Sequence, residues 1–239
     1  MNKTDMLNEM IKESENIVFF GGAGVSTESG IKDFRSADGI YKMKYKYSPE
    51  EVLSHTFYEM HTEDFFDFYK KYLCFPNAHP NKAHYKLAEL EKTGKLKAVI
   101  TQNVDGLHQC AGSKNVFELH GSALRNYCVK CGKFHNFESV YHSTGIPKCS
   151  CGGIIKPDVV LYEEPLDDKV IHGAINAISN ADMLIVAGTS LKVYPAAGFI
   201  RYFKGNNFVL INIDETNMDS EFGLVIHDKV GEVLDKIKI

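Results

Sequence analysis

Four cysteines in two close pairs form the clearest candidate metal site in this chain. Cys128 and Cys131 are separated by two residues, and Cys149 and Cys151 by one residue. Four thiolates make a closed tetrahedral zinc site, which is structural because no position is left open for a substrate. Residues 122–157 are too few to bury an adequate core, so we expect the metal to supply folding energy there.

The short gap in the second cysteine pair leaves the ligand set open. Two intervening residues are more usual than the single Ser150 found here. A tight turn at residues 152–153 would still bring both sulfurs to one ion. Otherwise His135 or His142 replaces one of the cysteines, and four unligated cysteines are the remaining alternative.

A histidine that follows a short apolar run is the candidate proton-transfer group. Residues 116–119 predict a strand, and His120 comes directly after them, followed by Gly121. A neutral imidazole can act as a general base near neutral pH. The alternative is a structural histidine, and the position at a strand end favours the catalytic role.

A glycine-rich loop after the first predicted strand is the candidate phosphate site. Residues 21–35 read GGAGVSTESGIKDFR, in which Gly22 and Gly24 allow backbone amides to approach a pyrophosphate. Thr27 stands where a dinucleotide fingerprint has its third glycine. Because no second strand with an acidic end follows about 20 residues later, hydride transfer is disfavoured.

A polar cluster follows another predicted strand, in the segment TQNVDGLH at residues 101–108. Gln102 and Asn103 offer donors and acceptors that suit ribose hydroxyls or an ordered water. Asp105 can accept a hydrogen bond from an amide. The alternative is an Asn-Asp-Gly turn without a ligand.

Small polar residues follow the last two strongly apolar runs. Gly188, Thr189 and Ser190 can contact a phosphate or a ribose. Asn212 and Asp214 follow a later strand, where a carboxylate can accept from ribose hydroxyls.

Strands alternate with helices along the chain, and this alternation sets the expected positions of these groups. The strands are predicted at residues 17–20, 97–101, 116–119, 158–162, 183–187, 208–213 and 224–226. The pattern predicts an α/β, Rossmann-like parallel sheet with helices on both faces. Ligands bind beyond the carboxyl ends of such strands, so the polar segments should converge on one edge.

The cysteine segment interrupts this pattern and defines the expected domains. A Rossmann-like domain is predicted from residues 1–121 and 158–239, with a helical insertion near 36–75 that is rich in aromatic residues. Residues 122–157 form the small inserted zinc-binding domain.

The bulk properties exclude several classes of protein. A net charge of −4 gives no general electrostatic footprint for nucleic acid. No stretch approaches the roughly 18 apolar residues of a membrane span, and the first residues are polar. We therefore expect a cytoplasmic location, and six cysteines in such a reducing compartment argue against a disulfide framework and for metal ligands or free thiols. Cys74 and Cys110 stand alone and are expected to be buried.

Taken together, these segments resemble the sirtuin family of NAD-dependent protein deacylases, over nearly the whole chain. The resemblance rests on an ordered set of motifs: GAGVSTESGIKDFR, TQNVDGLH, FELHG, the two cysteine pairs, KPDVVLYEE and GTSLKVYP.

The resemblance implies specific roles for these residues. His120 would be the general base, assisted by Asn103, and one structural Zn²⁺ would bind the four cysteines. Phe34 would shield the reacting ribose. The NAD-binding residues would be Gly22, Ala23, Gly24, Thr27, Phe34, Arg35, Gln102, Asn103, Val104, Asp105, Gly188, Thr189, Ser190, Asn212, Asp214, Lys229 and Val230.

The resemblance also implies the reaction. The acyl-lysine carbonyl oxygen would attack ribose C1′ as nicotinamide leaves. His120 would then help deprotonate the ribose 2′-hydroxyl, which attacks the resulting imidate, and water would release free lysine and 2′-O-acyl-ADP-ribose. The partner would be an acetylated lysine-containing protein or peptide, bound as an added strand next to Val159, Val160 and Val193.

The chain departs from the family pattern at three positions. Val104 stands where isoleucine is common, and Asp228 where the adenine-side loop often has glycine. Glu163 occupies the usual glycine of a Phe-Gly-Glu segment, which leaves that loop and its peptide contacts open.

The acyl preference follows from a missing arginine. Family members that remove acidic acyl groups carry a Tyr and an Arg after the Asp-Phe-Arg motif, and residues 41–47 contain no Arg. We therefore expect acetyl and other uncharged groups, although Lys42, Lys44 or Lys46 could replace the guanidinium.

Three rival functions remain from the sequence. The first is protein mono-ADP-ribosyl transfer in the same pocket. The second is a non-catalytic NAD-sensing interaction module, and the third is a dehydrogenase.

Overall fold

A computed structural model describes residues 2–36, 39–42 and 45–238 of the chain. The strands are β1 (Ile17–Gly21), β2 (Leu96–Thr101), β3 (Val116–Glu118), β4 (Gly121–Cys128), β5 (Phe134–Asn136), β6 (Ile155–Val159), β7 (Met183–Ala187), β8 (Asn207–Ile211) and β9 (Leu224–Ile226). The α-helices are α1 (Lys3–Glu13), α2 (Pro49–Val52), α3 (His55–Met60), α4 (Thr62–Tyr72), α5 (Lys82–Lys92), α6 (Leu107–Ala111), α7 (Phe137–Tyr141), α8 (Asp168–Ser179) and α9 (Val230–Asp235).

A six-stranded parallel sheet forms the large domain, in the order β3-β2-β1-β7-β8-β9. Its central strands β1 and β7 are buried at every position, as expected for strands covered on both faces. Phe19 and Ile185 pack with α1, α5 and α9 on one face. Phe20 and Leu184 pack with α8 on the other. The predicted α/β architecture is therefore confirmed.

A second sheet carries the cysteines and is antiparallel, in the order β5-β4-β6. Its strand β4 begins at Gly121, directly after His120. The sheet reaches from Gly121 to Val159, one to two residues beyond each end of the predicted segment. The helix α7 completes this module, which we call the cysteine module.

The helical insertion packs against the cysteine module. Phe57, Phe65 and Phe68 are almost fully buried, in one cluster with Val140 and Ile155 of the module. The rings of Phe65 and Phe66 meet edge to face, with centroids 5.2 Å apart. The aromatic residues of this insertion are thus a shared core.

Three details differ from the sequence predictions. The strand expected at residues 158–162 is β6, which ends at Val159 because the chain turns towards Ser54 at Tyr162. The alternation of strands and helices predicts a helix between the strands at 183–187 and 208–213, and the structure has a 3₁₀ helix there, Ala196–Tyr202. Cys110 is exposed on α6 rather than buried, whereas Cys74 is buried.

None of the helices in the described residues combines the length and apolarity that a membrane crossing requires.

Candidate active site

A cavity of about 660 Å³ opens at the carboxyl ends of β1, β2, β7 and β8. On the sheet side it is lined by residues 22–24, 102–105, 188–190 and 212–217. On the other side it is lined by residues 159–164, which follow β6 of the cysteine module. The cavity therefore lies between the large sheet and the cysteine module, and polar segments distant in sequence meet in it.

The glycine loop after β1 is held against the loop after β7 by backbone contacts. The Gly24 amide donates to the Gly188 carbonyl at 2.8 Å, and a Cβ on Gly24 would lie 2.7 Å from Gly188 Cα. Gly188 has a φ of +57°. Only glycine permits this approach at both positions. Gly22 and Gly24 therefore present backbone without side chains to the cavity, which suits the close approach of a pyrophosphate.

A buried hydrogen-bond network fixes the polar residues after β2. Ser26 Oγ donates to Asp105 Oδ2 at 2.7 Å and accepts from Asn103 Nδ2 at 3.1 Å. Asp105 Oδ1 accepts from the Leu107 amide at 2.9 Å. Burial raises the pKa of Asp105, and the hydrogen bonds from Leu107 and Ser26 oppose that shift. Asn103 Oδ1 is the amide atom left available to a ligand.

His84, a fully buried residue of α5, also contacts this network. Its Nδ1 accepts from the Asn81 amide at 3.2 Å, so its proton lies on Nε2, 3.5 Å from Ser26 Oγ. Burial lowers the pKa of His84 to about 4, so the ring is neutral at neutral pH. Neither His84 nor the contacts of Ser26 with Asn103 and Asp105 were predicted from sequence, because residue spacing does not reveal a contact between distant segments.

His120 reaches the cavity with one ring nitrogen fixed. Its Nδ1 lies 2.9 Å from the Gln102 backbone carbonyl oxygen, which can only accept, so Nδ1 carries the proton. Burial lowers the pKa of His120, and the hydrogen bond to Gln102 partly opposes the shift. The ring is therefore neutral near pH 7 and presents Nε2 as a base.

The side chain of Gln102 spans from β2 to the loop after β7. Its Nε2 donates to Thr189 Oγ1 at 3.1 Å, and the same hydroxyl accepts from the Leu191 amide at 3.2 Å. At the far end of the cavity, Asn212 Nδ2 donates to the Asp214 carbonyl oxygen at 2.7 Å. These bonds order the two loops that the sequence assigned to phosphate and ribose.

The aromatic side of the cavity joins the segment after the glycine loop to the segment after β6. The hydroxyls of Tyr41 and Tyr162 lie 3.2 Å apart, and the Arg35 guanidinium lies 4.9 Å from the Tyr41 ring centroid. The Phe34 and Tyr41 rings meet edge to face at 5.8 Å. Phe34 and Arg35 both line the cavity.

Of the nucleotide-binding residues expected from sequence, the cavity lining contains all except Lys229. Its neighbour Val230 does line the cavity. The residues expected to contact peptide, Val159, Val160 and Val193, line it as well.

Two of the three lysines considered for an acidic acyl group lie outside the cavity lining. Lys42 and Lys46 are not among the lining residues, and Lys46 Nζ lies 4.7 Å from the Tyr47 ring centroid. Lys44 lies outside the described residues.

The four cysteines converge at one point of the cysteine module. Their Sγ atoms all lie within 4.8 Å of one another, with 3.4 Å between Cys128 and Cys151 and 3.8 Å between Cys131 and Cys149. Sulfurs in a tetrahedral zinc site, each about 2.3 Å from the ion, lie about 3.8 Å apart. The cluster therefore fits one structural zinc ion.

Neither histidine is needed to complete the metal site. The cluster found in the described residues contains only the cysteines, and the short gap between Cys149 and Cys151 does not prevent convergence. His142 Nε2 instead lies 2.7 Å from Glu138 Oε2.

Comparison with known sequences finds one family profile and close relatives along nearly the whole chain. The profile of the Sir2 family matches residues 22–195. The NAD-dependent protein deacetylase of Clostridium perfringens is 62% identical over 99% of this chain and 98% of its own length. That of Clostridium acetobutylicum is 61% identical, with the same coverage.

Comparison with solved structures extends the similarity to the fold. A Sir2 structure with a deacetylated p53 peptide and 3′-O-acetyl ADP-ribose has a TM-score of 0.90 and 40% identity, and the alignment covers 98% of this chain and 97% of that one. A Sir2 structure with p53 peptide and NAD⁺ has a TM-score of 0.84 and 39% identity, over 98% and 96%.

Proposed function

Because this chain belongs to the Sir2 family, we propose that its cavity removes acetyl groups from lysine side chains with NAD as cosubstrate. The protein is an NAD-dependent protein-lysine deacetylase that transfers the acyl group to ADP-ribose and releases nicotinamide. The observation that carries this proposal is one cavity whose lining includes the glycine loop, His120, and Val159, Val160 and Val193.

The proposed NAD site uses the network described above. The pyrophosphate lies against the backbone of Ala23 and Gly24, with Arg35 and Ser190 assisting, while the Gly22 and Gly24 amides remain bound to the Ala187 and Gly188 carbonyls. Asn103 and Asp105 bind the nicotinamide amide, because Ser26 fixes both side chains and each carboxylate oxygen of Asp105 can accept a second hydrogen bond. The adenosine lies towards Asn212 and Val230, with Asp214 at its ribose.

In the reaction, NAD supplies an electrophilic ribose carbon and nicotinamide as the leaving group. His120 Nε2 accepts a proton from a ribose hydroxyl, because its Nδ1 is committed to Gln102. Phe34 covers the reacting ribose and excludes water. The site must also hold the acetyl-lysine amide, which is a weak nucleophile, against the ribose carbon, and rigid loops are suited to this.

The metal has a separate role in this proposal. One Zn²⁺ on four thiolates has no open coordination position, so it stabilises the cysteine module and takes no part in catalysis. Because four reduced thiols are required to hold it, we propose that the protein acts in the reducing cytoplasm.

The test is mass spectrometry of a reaction with NAD and an acetyl-lysine peptide. We expect deacetylated peptide, nicotinamide and O-acetyl-ADP-ribose in equal amounts. ADP-ribosylated protein without peptide deacetylation would instead identify a mono-ADP-ribosyltransferase. Reduction of nicotinamide, visible by absorbance, would identify a dehydrogenase.

A further inference from the structure

Glu163 has a backbone conformation that residues other than glycine rarely adopt. Its φ is +76°, in the left-handed region, where the Cβ of an L-residue comes too close to the following carbonyl oxygen. The residue is exposed and lines the mouth of the cavity, so burial of its side chain does not hold this conformation. Another interaction must compensate for the strain.

The carboxylate of Glu163 supplies that interaction through Thr56. Glu163 Oε2 accepts from both the Thr56 amide and the Thr56 hydroxyl, each at 2.8 Å. These two hydrogen bonds lower the pKa of Glu163, so the side chain is ionised at neutral pH. Charge-assisted bonds of this kind are stronger than neutral ones.

The residues on either side of Glu163 are bound to the same short segment. The Tyr162 amide donates to the Leu53 carbonyl at 2.9 Å, and the His55 amide donates to the Tyr162 carbonyl at 3.0 Å. His55 Nδ1 lies 2.8 Å from Glu164 Oε1. Three consecutive residues are thus attached to the junction between α2 and α3.

This segment continues directly into the proposed peptide site. Residues 159–164 all line the cavity, and the Val160 amide donates to the His120 carbonyl at 3.0 Å. The path of the chain from Val160 to Glu163 therefore determines the backbone edge that faces an incoming peptide. A glycine at position 163 would adopt the same φ without strain but would not bind Thr56.

We propose that Glu163 is a positioning residue for the acyl-peptide: its carboxylate, bound to Thr56, fixes the path of residues 160–164 along which the peptide pairs. This inference rests on the proposed deacetylase function. It predicts an effect on peptide binding alone, because the glycine loop and Asn103 are held by separate contacts with Gly188 and Ser26.

The experiment compares Glu163→Ala, Glu163→Gln and Glu163→Gly in steady-state kinetics with an acetyl-lysine peptide and NAD. Glu163→Ala keeps the strain and loses both hydrogen bonds, so the peptide KM should rise about five-fold while the KM for NAD and kcat change by less than about two-fold. Glu163→Gln retains an acceptor oxygen and should restore the wild-type KM to within about two-fold. Glu163→Gly removes the strain, so its KM should lie between these values.

A double-mutant cycle with Thr56→Val identifies the partner. Thr56→Val removes the hydroxyl donor only, and the double variant with Glu163→Ala should be no worse than Glu163→Ala. Thermal unfolding of every variant shows whether it is folded. If Glu163→Ala does not fold, Glu163→Gly takes its place in the comparison of peptide KM values.

Three outcomes would overturn the inference: an unchanged peptide KM in both Glu163→Ala and Glu163→Gly, a Glu163→Gln variant as impaired as Glu163→Ala, or additive effects with Thr56→Val. If the wild-type protein deacetylates the peptide and the variants show any of these results, only the role of Glu163 is refuted. Wild-type protein without turnover refutes the proposed function together with this inference.

Discussion

The Nδ1 atom of His120 lies 2.9 Å from the backbone carbonyl oxygen of Gln102, at the end of the neighbouring strand β2. Within the described part of the chain, this imidazole is oriented by a main-chain carbonyl and not by a carboxylate, so the main chain determines its tautomer. Since the main-chain oxygen cannot donate, Nε2 keeps its lone pair for the substrate side. The parallel sheet thus orients the proposed base.

The first prediction concerns the identity of that base. His120→Ala should lower kcat by at least about 100-fold, because proton transfer by a positioned imidazole contributes that much or more. NAD affinity, measured by calorimetry, should change by less than about three-fold, because the pyrophosphate and nicotinamide contacts remain. His172→Ala, on the exposed face of α8, is the control and should match wild type. Substantial turnover by His120→Ala would contradict the assignment.

The second prediction is the pH dependence of kcat/KM. Burial lowers the pKa of His120, so the neutral, active form persists below the usual histidine value of about 6.5. Activity should therefore fall on acidification with a midpoint below about 6.5. A midpoint above about 7 would mean that a different group titrates, or that the ring is more solvated than the structure shows.

The third prediction tests the network around Ser26. Ser26→Ala leaves the Asn103 amide and the Asp105 carboxylate without their shared partner, so kcat/KM should fall about ten-fold or more. Unfolding should remain cooperative. Ser220→Ala, exposed and outside the cavity, is the matched control. Equal kinetics of the two variants would show that the network is dispensable.

The fourth prediction concerns the metal. Cys151→Ser should reduce bound zinc from about one equivalent per chain to a small fraction, and lower Tm by at least about 5 °C, because the ion supplies folding energy to the cysteine module. Cys110→Ser removes an exposed thiol outside the cluster and should retain full zinc content. Elemental analysis and thermal unfolding measure both effects. Full zinc content in Cys151→Ser would exclude this cysteine as a ligand.

The fifth prediction concerns a buried histidine outside the cavity. His108 is 1% exposed, and neither ring nitrogen has a hydrogen-bond partner among the residues that the structure describes. Burial holds its pKa well below the usual value, so below about pH 6.5 the unfolded chain binds a proton that the folded chain excludes. Stability is therefore full above that pH and decreases as the pH falls.

His108→Leu removes this titration and keeps an apolar volume. The loss of unfolding free energy between about pH 6.5 and pH 5 should be about 2 kcal/mol smaller in the variant than in wild type. Urea unfolding at both pH values measures it. Identical pH dependence in the two proteins would show that His108 is protonated, or bound to water, in the fold.

The large sheet and its ligand edge could be predicted from sequence because their signals are local. Ile17–Gly21 and Met183–Ala187 are unbroken apolar runs, the first ending in Gly21 and the second followed by Gly188, and parallel topology then brings their ends together. The same logic predicted that Gln102, Asn103 and His120 would meet, although their roles remain to be tested.

Contacts between distant segments could not be predicted in this way. The Glu163 carboxylate is bound by Thr56, more than 100 residues earlier. Lys229 precedes α9, and Val230, one residue on, lines the cavity instead. Sequence spacing predicts neither the Glu163–Thr56 contact nor the choice between Lys229 and Val230. The partner of a loop residue can be far away in the sequence, and a shift of one position changes which side chain lies at a site.

The cysteine module begins at Gly121, one peptide bond after the proposed base. Gly121 has a φ of +74°, and a Cβ there would collide with the Asp158 carbonyl oxygen on β6. If the cysteine module were exchanged between relatives, its first residue would therefore have to be glycine. A chimaera whose boundary lies before residue 120 would take the histidine and this glycine from the same parent. A boundary between residues 120 and 121 would take them from different parents.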